Sequence, residues 1–208
     1  MSALENNRVT LVGTIITKLT YDHEVFGEKF YRFGLSVNRL SENSDIVPVI
    51  VSERTFEVTD GDDFIGYCVR IDGSFRSYSL HENGKHRLIL SVLADQVESA
   101  ESSNDYNKIV LEGFVCKQPT YRKTPLGREV SGFLLAVNRP YGNSDYIPCL
   151  AWGRNANYLS RCEVGTKLQL EGRIQSRSYR KKISETEFEE RVAYEVSMSK
   201  FKVLGANR

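Results

Sequence analysis

The chain repeats itself at a spacing of 100 residues, and that duplication constrains its fold more than any other feature. Residues 7–51 laid over 107–151 without a gap share 15 of 45 positions. The identities include Leu11/Leu111, Gly13/Gly113, Tyr21/Tyr121, Gly27/Gly127, Phe33/Phe133 and Val37/Val137. They also include the runs Asn38-Arg39 … Asn43-Ser44-Asp45 … Pro48 and Asn138-Arg139 … Asn143-Ser144-Asp145 … Pro148. Solenoid units are much shorter, so copies of this length are whole domains. The 208 residues, 40% hydrophobic, suit two cores of about a hundred residues each. Each copy is a control on the other: what both keep points to fold, and what one alone has points to function.

Both copies read as all-β. In the second, short alternating segments at 109–117, 130–138, 146–152, 167–179 and 192–203 are separated by turn-rich pieces such as Thr124-Pro-Leu-Gly127 and Pro140-Tyr-Gly-Asn143. A helical insertion at 155–161 falls between the third and fourth strands. The first copy follows at 9–17, 31–38, 46–52, 68–78 and 86–97. Five strands with an insertion between the third and fourth is the plan of the OB-fold, a five-stranded Greek-key barrel that binds oligonucleotides or oligosaccharides. The expectation is two tandem OB-folds, each with a short helix or loop there. Gly113 and Gly172 fall mid-strand, where a tightly curved barrel bends or bulges. The polar stretch from Glu98 to Asp105 marks the join. This divides the chain into 1–98, a linker at 99–105, and 106–208.

Charge separates the copies. The net formal charge is +1 overall, but residues 1–104 carry −6 and residues 105–208 carry +7. Such asymmetry fits a basic partner-binding domain beside an acidic one, or else simple drift of a solvated surface. The four cysteines (Cys68, Cys116, Cys149, Cys162) lack a C-x-x-C pair and read as reduced core residues. His23, His81 and His86 have no partner at metal-ligand spacing, so no metal or other cofactor is expected. No apolar run is long enough for a membrane span and no secretory signal opens the chain, so the expected compartment is the cytoplasm, at the nucleoid.

Period-two alternation sorts side chains onto faces. Ile147, Cys149 and Ala151 share one face, matching Val47, Val49 and Val51, a pattern suited to a barrel core. Tyr146 and Trp152 then face outward, where the first copy has Ile46 and Ser52. In the fourth strand Leu168, Leu170, Gly172 and Ile174 point in, while Arg173, Gln175, Arg177 and Tyr179 point out, followed by Arg180-Lys181-Lys182. Aromatics among cations suit a single nucleic-acid strand: bases stack on the rings and phosphates take the charges. A lone tryptophan is ordinarily core, but its alternation with Cys149 and Ala151 argues for the surface. The lysine run also fits a solvated hairpin tip.

The segments Asn107-Lys-Ile-Val-Leu-Glu-Gly113, Pro119-Thr-Tyr-Arg122, Leu135-Ala-Val-Asn-Arg139, Trp152-Gly153 and Val164-Gly-Thr-Lys-Leu-Gln-Leu-Glu-Gly-Arg-Ile-Gln-Ser-Arg-Ser-Tyr179 resemble the bacterial single-stranded DNA-binding proteins. The whole chain resembles a tandem variant with two OB-folds. The resemblance implies that Tyr146, Trp152 and Tyr179 stack bases and that Tyr121, Arg122, Lys123 and Arg128 flank the strand's path. Arg139, Arg154, Arg173, Arg177, Lys181 and Lys182 complete the candidate cations of the second copy; the first copy keeps Tyr78 and Arg76. It also implies a homodimer with four OB-folds, for which the outward pair Ile46 and Ile50 is a candidate surface. Typical members end in an acidic, Phe-terminated tail that recruits replication and repair proteins, whereas this chain ends Phe201-Lys-Val-Leu-Gly-Ala-Asn-Arg208.

Three function classes follow. The first is sequence-tolerant binding and protection of single-stranded DNA in replication, recombination or repair. The second is a primosome-type or assembly OB protein that acts mainly through protein contacts. The third, an enzyme on an OB scaffold, is not expected: no paired acids or His/Cys cluster share a face, and Asp60-Gly-Asp-Asp63 reads as a turn.

Overall fold

A computed structural model describes residues 6–41, 43–57, 63–82, 85–101, 105–184 and 187–205, without the side chains of 81–82, 85–86 and 141. The first repeat forms β1 (Asn7–Ile15), β2 (Thr20–Val25), β3 (Glu28–Asn38), β4 (Ser44–Ser52), β5 (Cys68–Glu82) and β6 (Lys85–Ser99). The second forms β7 (Tyr106–Lys123), β8 (Glu129–Asn138), β9 (Ser144–Trp152), α1 (Arg154–Leu159), β10 (Lys167–Lys182) and β11 (Phe188–Gly205). Strict alternation makes these strands: along β1, Val9, Leu11, Gly13 and Ile15 are all buried while their neighbours are not. Each repeat closes on itself. β1 pairs with β3 and β5, and β4 pairs in parallel with β6; likewise β7 pairs with β8 and β10, and β9 pairs in parallel with β11. These are two tandem OB-folds, called barrel 1 and barrel 2 below. No described helix is long and apolar enough to cross a membrane.

The two barrels plug their open ends differently. In barrel 2, α1 buries Ala156 and Leu159 in the core. In barrel 1 a loop does this with Phe56 and Phe64, whose rings lie 4.7 Å apart. The predicted turn at Asp60-Gly-Asp-Asp63 lies outside the described residues except Asp63, whose carboxylate accepts the Ile65 N–H at 3.0 Å. One strand, β2, was not expected. Its counterpart in barrel 2 is the end of β7, which stays paired with β8 through two register shifts. The hairpins that follow turn at Gly27 and Gly127, both at positive φ (80° and 75°), which accounts for that identity between repeats. At Gly172 a Cβ would stand 2.5 Å from the Ser197 carbonyl oxygen, and β10 shifts register there. The expected bulge is therefore present, and only glycine fits it.

Barrel meets barrel through β1 and β7, paired antiparallel so that Val9 faces its repeat equivalent Ile109. A pseudo-twofold axis passes through that pair, and one eleven-stranded sheet runs through both barrels. The duplicated Asn-Arg … Asn-Ser-Asp motif provides the rest of the junction. Asp45, buried to 1% exposure, accepts Arg39 Nε (2.8 Å) from its own turn, and from β10 the Ser176 N–H (2.8 Å) and Arg173 Nη1 (3.4 Å). Asp145 repeats this with Arg139 Nε (2.9 Å), the Ser77 N–H (2.6 Å) and Arg76 Nη1 (3.1 Å). Burying a carboxylate is costly unless it is fully hydrogen-bonded, and both are.

Three outward assignments are corrected by the structure. Ser52 is only 5% exposed, because its hydroxyl turns in to donate to the Glu28 carboxylate. Gln175 is only 8% exposed: barrel 1 packs over β10, and its amide donates to Glu195 at 2.8 Å. Ile50 is only 6% exposed, in a recess beside Ser91 and Leu93, so it cannot form an outer surface with Ile46. The segment 99–105 is hydrogen-bonded at its described ends: the Ala100 N–H donates to the Cys68 carbonyl and the Asn38 N–H to the Asp105 carboxylate. All four cysteines are free thiols, with Cys149 and Cys162 buried. His23 stacks on Phe30 and bonds Asp22, while the side chains of His81 and His86 lie outside the described residues. Among the described residues, no cluster of His, Cys, Asp or Glu is placed to hold a metal ion.

Candidate nucleic-acid interface

β9 positions the aromatic face. With Ile147, Cys149 and Ala151 in the core at 0–1% exposure, Tyr146 and Trp152 are forced outward, at 46% and 38%. Trp152 donates its indole N–H to Ser197 Oγ on β11 (3.2 Å), which fixes the ring across the two strands. The two aromatics stand six positions apart along the strand, about 20 Å. On β10, Tyr179 is 38% exposed and carries the Arg177 guanidinium 5.7 Å from its ring centre.

Trp152 forms part of a groove of about 460 Å³ lined by four arginines: Arg39, Arg128, Arg173 and Arg177. Two acids oppose them, Asp45 beneath Arg39 and Arg173, and Glu195, 3.6 Å from Arg177. The groove therefore keeps net positive charge beside an aromatic face. Arg39 comes from barrel 1 and was not among the sequence candidates. The only signal for it was its repeat equivalence to Arg139, which was one. The hydrogen bond to Asp45 raises the Arg39 pKa above its ordinary value, and Asp145 does the same for Arg139, so both stay charged.

The remaining candidates lie elsewhere. Arg139 and Arg76 are held by Asp145 and line a second groove, about 510 Å³, on barrel 1 with Tyr78, His23 and Ile50. Tyr78 is 41% exposed, and its hydroxyl accepts Arg32 Nη2 at 2.8 Å. Arg154 opens α1 and lines a third recess with Arg161, Tyr158 and Glu129. Tyr121 donates to Glu129 (2.7 Å), a bond that raises the phenol's pKa. Arg122 and Lys123 are exposed at the end of β7. Lys181 and Lys182 are exposed near the tip of the β10–β11 hairpin, paired across it with Glu189 and Phe188. None of these lines the Trp152 groove.

Comparison with known proteins points the same way. Residues 106–204 match the family model described as the single-strand binding protein family. A single-stranded DNA-binding protein of Halalkalibacterium halodurans is 41% identical over 83 residues, covering 35% of this chain and 48% of that protein. Single-stranded DNA-binding protein A of Bacillus subtilis is 39% identical over 80 residues, covering 35% of this chain and 46% of its own length. The chain thus spans about half the length of the curated relatives it matches. Among solved structures, the single-stranded DNA-binding protein of Thermus aquaticus aligns over 97% of this chain and 94% of its own, with a TM-score of 0.77 and 18% identity. That likeness shows a common fold across both barrels.

Proposed function

We propose, from the match of residues 106–204 to the single-strand binding protein family, that the chain binds single-stranded DNA without regard to sequence and protects it in replication, recombination or repair. The observation that carries this reading is the Trp152 groove, an exposed indole among four arginines on the family-matching barrel. Bases stack on Trp152, Tyr179 and Tyr146, each stack contributing about 1–3 kcal/mol, while Arg128, Arg177 and their neighbours hold phosphates. Stacking does not distinguish bases, because every base has a π-face. Residues 106–208 are the main binding unit, and residues 1–98 contribute a weaker one around Tyr78 and Arg76. The role is binding without catalysis, in the cytoplasm at the nucleoid.

The chain works as a homodimer that gathers four OB-folds. The face of the sheet across the β1–β7 seam supports this reading. There Val12 and Val110 lie in a shallow recess beside the half-exposed Tyr106, with Arg8, Arg70 and Lys108 around them. Sedimentation at micromolar concentration checks it; a strict monomer contradicts it.

Trp152 is the chain's single tryptophan and reports on its own groove. Titration with oligo-dT at two salt concentrations, with duplex DNA as control, should quench its fluorescence with the single strand alone, less so at high salt. No binding at low salt would favour a barrel pair that acts through protein contacts.

A further inference from the structure

We infer that each strand-binding groove is completed by an arginine from the other barrel, so that the two barrels form one binding unit. This rests on the single-strand reading of the Trp152 groove. Arg39 sits in the turn between β3 and β4 of barrel 1, yet it lines the groove of barrel 2 beside Trp152, Arg128 and Arg177. Its Nε and Nη2 are occupied by Asp45, and Nη2 also reaches the Ser176 carbonyl at 3.4 Å. Its Nη1 has no partner among the described residues. Arg139 repeats the arrangement in reverse: a barrel 2 residue bound to Asp145 and to the Ser77 carbonyl (2.7 Å), lining the groove of barrel 1 beside Tyr78.

The charge balance identifies the ligand. Each buried carboxylate meets two guanidiniums, Arg39 and Arg173 on Asp45, Arg139 and Arg76 on Asp145. One positive charge is left over around Asp45, whereas in the other cluster Asp95 also faces Arg76. The bidentate grip holds the guanidinium plane in place before any ligand arrives, so little ordering entropy remains to be lost on binding. A guanidinium edge held rigidly beside an exposed indole suits a phosphate whose base stacks on that indole. In this arrangement Asp45 and Asp145 act as positioning residues, each aiming an arginine across the barrel junction.

The test uses the full chain, labelled oligo-dT and fluorescence anisotropy over a series of salt concentrations. Arg39→Gln should bind more weakly and lower the log–log salt slope by about 0.7, the value for one phosphate contact on a single strand. Arg39→Lys should restore the wild-type slope, which a purely structural role would not predict. The double substitution Arg39→Gln with Asp45→Asn removes the buried charge together with its partner. It should show the same reduced slope, and it carries the test if Arg39→Gln alone fails to fold by circular dichroism. Wild-type slopes in the glutamine variants, alongside weakened binding by Trp152→Ala, would overturn the inference and leave the function standing. Absence of single-strand binding by the wild type would overturn both.

Discussion

Trp152 shows how far one side chain's role follows from its neighbours in the strand. Cys149 and Ala151 must fill the barrel, so the next residue on β9 has to leave it, and Ser197 then holds the indole at the surface. Replacing Trp152 or Tyr179 by Ala should weaken oligo-dT binding by about 1–3 kcal/mol with the thermal midpoint unchanged. Unchanged affinity would show that the bases stack elsewhere. The thiols behave oppositely. Burial raises the pKa of all four, most strongly at Cys149, so each remains the unreactive thiol at neutral pH. An aromatic disulfide reagent should label the native chain slowly at pH 8 and faster as pH rises, with Cys149 last, and all four at once in denaturant. Rapid labelling of Cys149 in the native chain would contradict its burial. The arginines were less legible: Arg76, Arg139 and Arg173 stood out in the sequence as cations, and nothing local marks them as partners of buried carboxylates.

At the scale of elements, nine of the expected strands and the helix lie within a few residues of their expected positions, because a half-buried strand writes its period of two directly into the sequence. The tenth, at 86–97, lies within β6, although its side chains are described only from Arg87 on. β2 escaped notice because its residues are nearly all exposed and so carry no alternation. The β10–β11 hairpin is the element whose function is least settled by its composition. Lys181 lies opposite Glu189 and Arg180 opposite Glu190, so the basic run meets acids across the hairpin. Neutralising Lys181 and Lys182 to Gln should still flatten the salt dependence of strand binding, by at most about 1.4 in slope for two phosphates. An unchanged slope would mean that the acids of β11 keep the strand away from this hairpin.

For the whole molecule, the junction is a stability element as well as a scaffold. Asp145 is fully buried and tied to Arg139 of its own barrel and to Arg76 and the Ser77 N–H of barrel 1, and the last two bonds hold barrel 2 against barrel 1. Asp145→Ala leaves both guanidiniums without their carboxylate and should cost about 3 kcal/mol, the lower end for a broken buried pair because both arginines are about a third exposed. Urea unfolding of the full chain checks this. A lowered midpoint is expected, with two separated transitions if the barrels uncouple; an unchanged curve would show that the β1–β7 seam alone holds them.

The sequence by itself determined two barrels, their strand faces and the outward placement of Tyr146, Trp152 and Tyr179. Duplication and alternation are local patterns, repeated along the chain and readable without any distant contact. Only the tertiary structure decided that Gln175 and Ile50 are covered, that β1 pairs with β7, and that Arg39 belongs to the groove of the opposite barrel. Those outcomes depend on contacts such as that between Asp45 and Ser176, 131 residues apart, where the partner is chosen by how two barrels dock. Two identical motifs could announce that docking, but the strand each one grips is set by the pseudo-twofold packing itself.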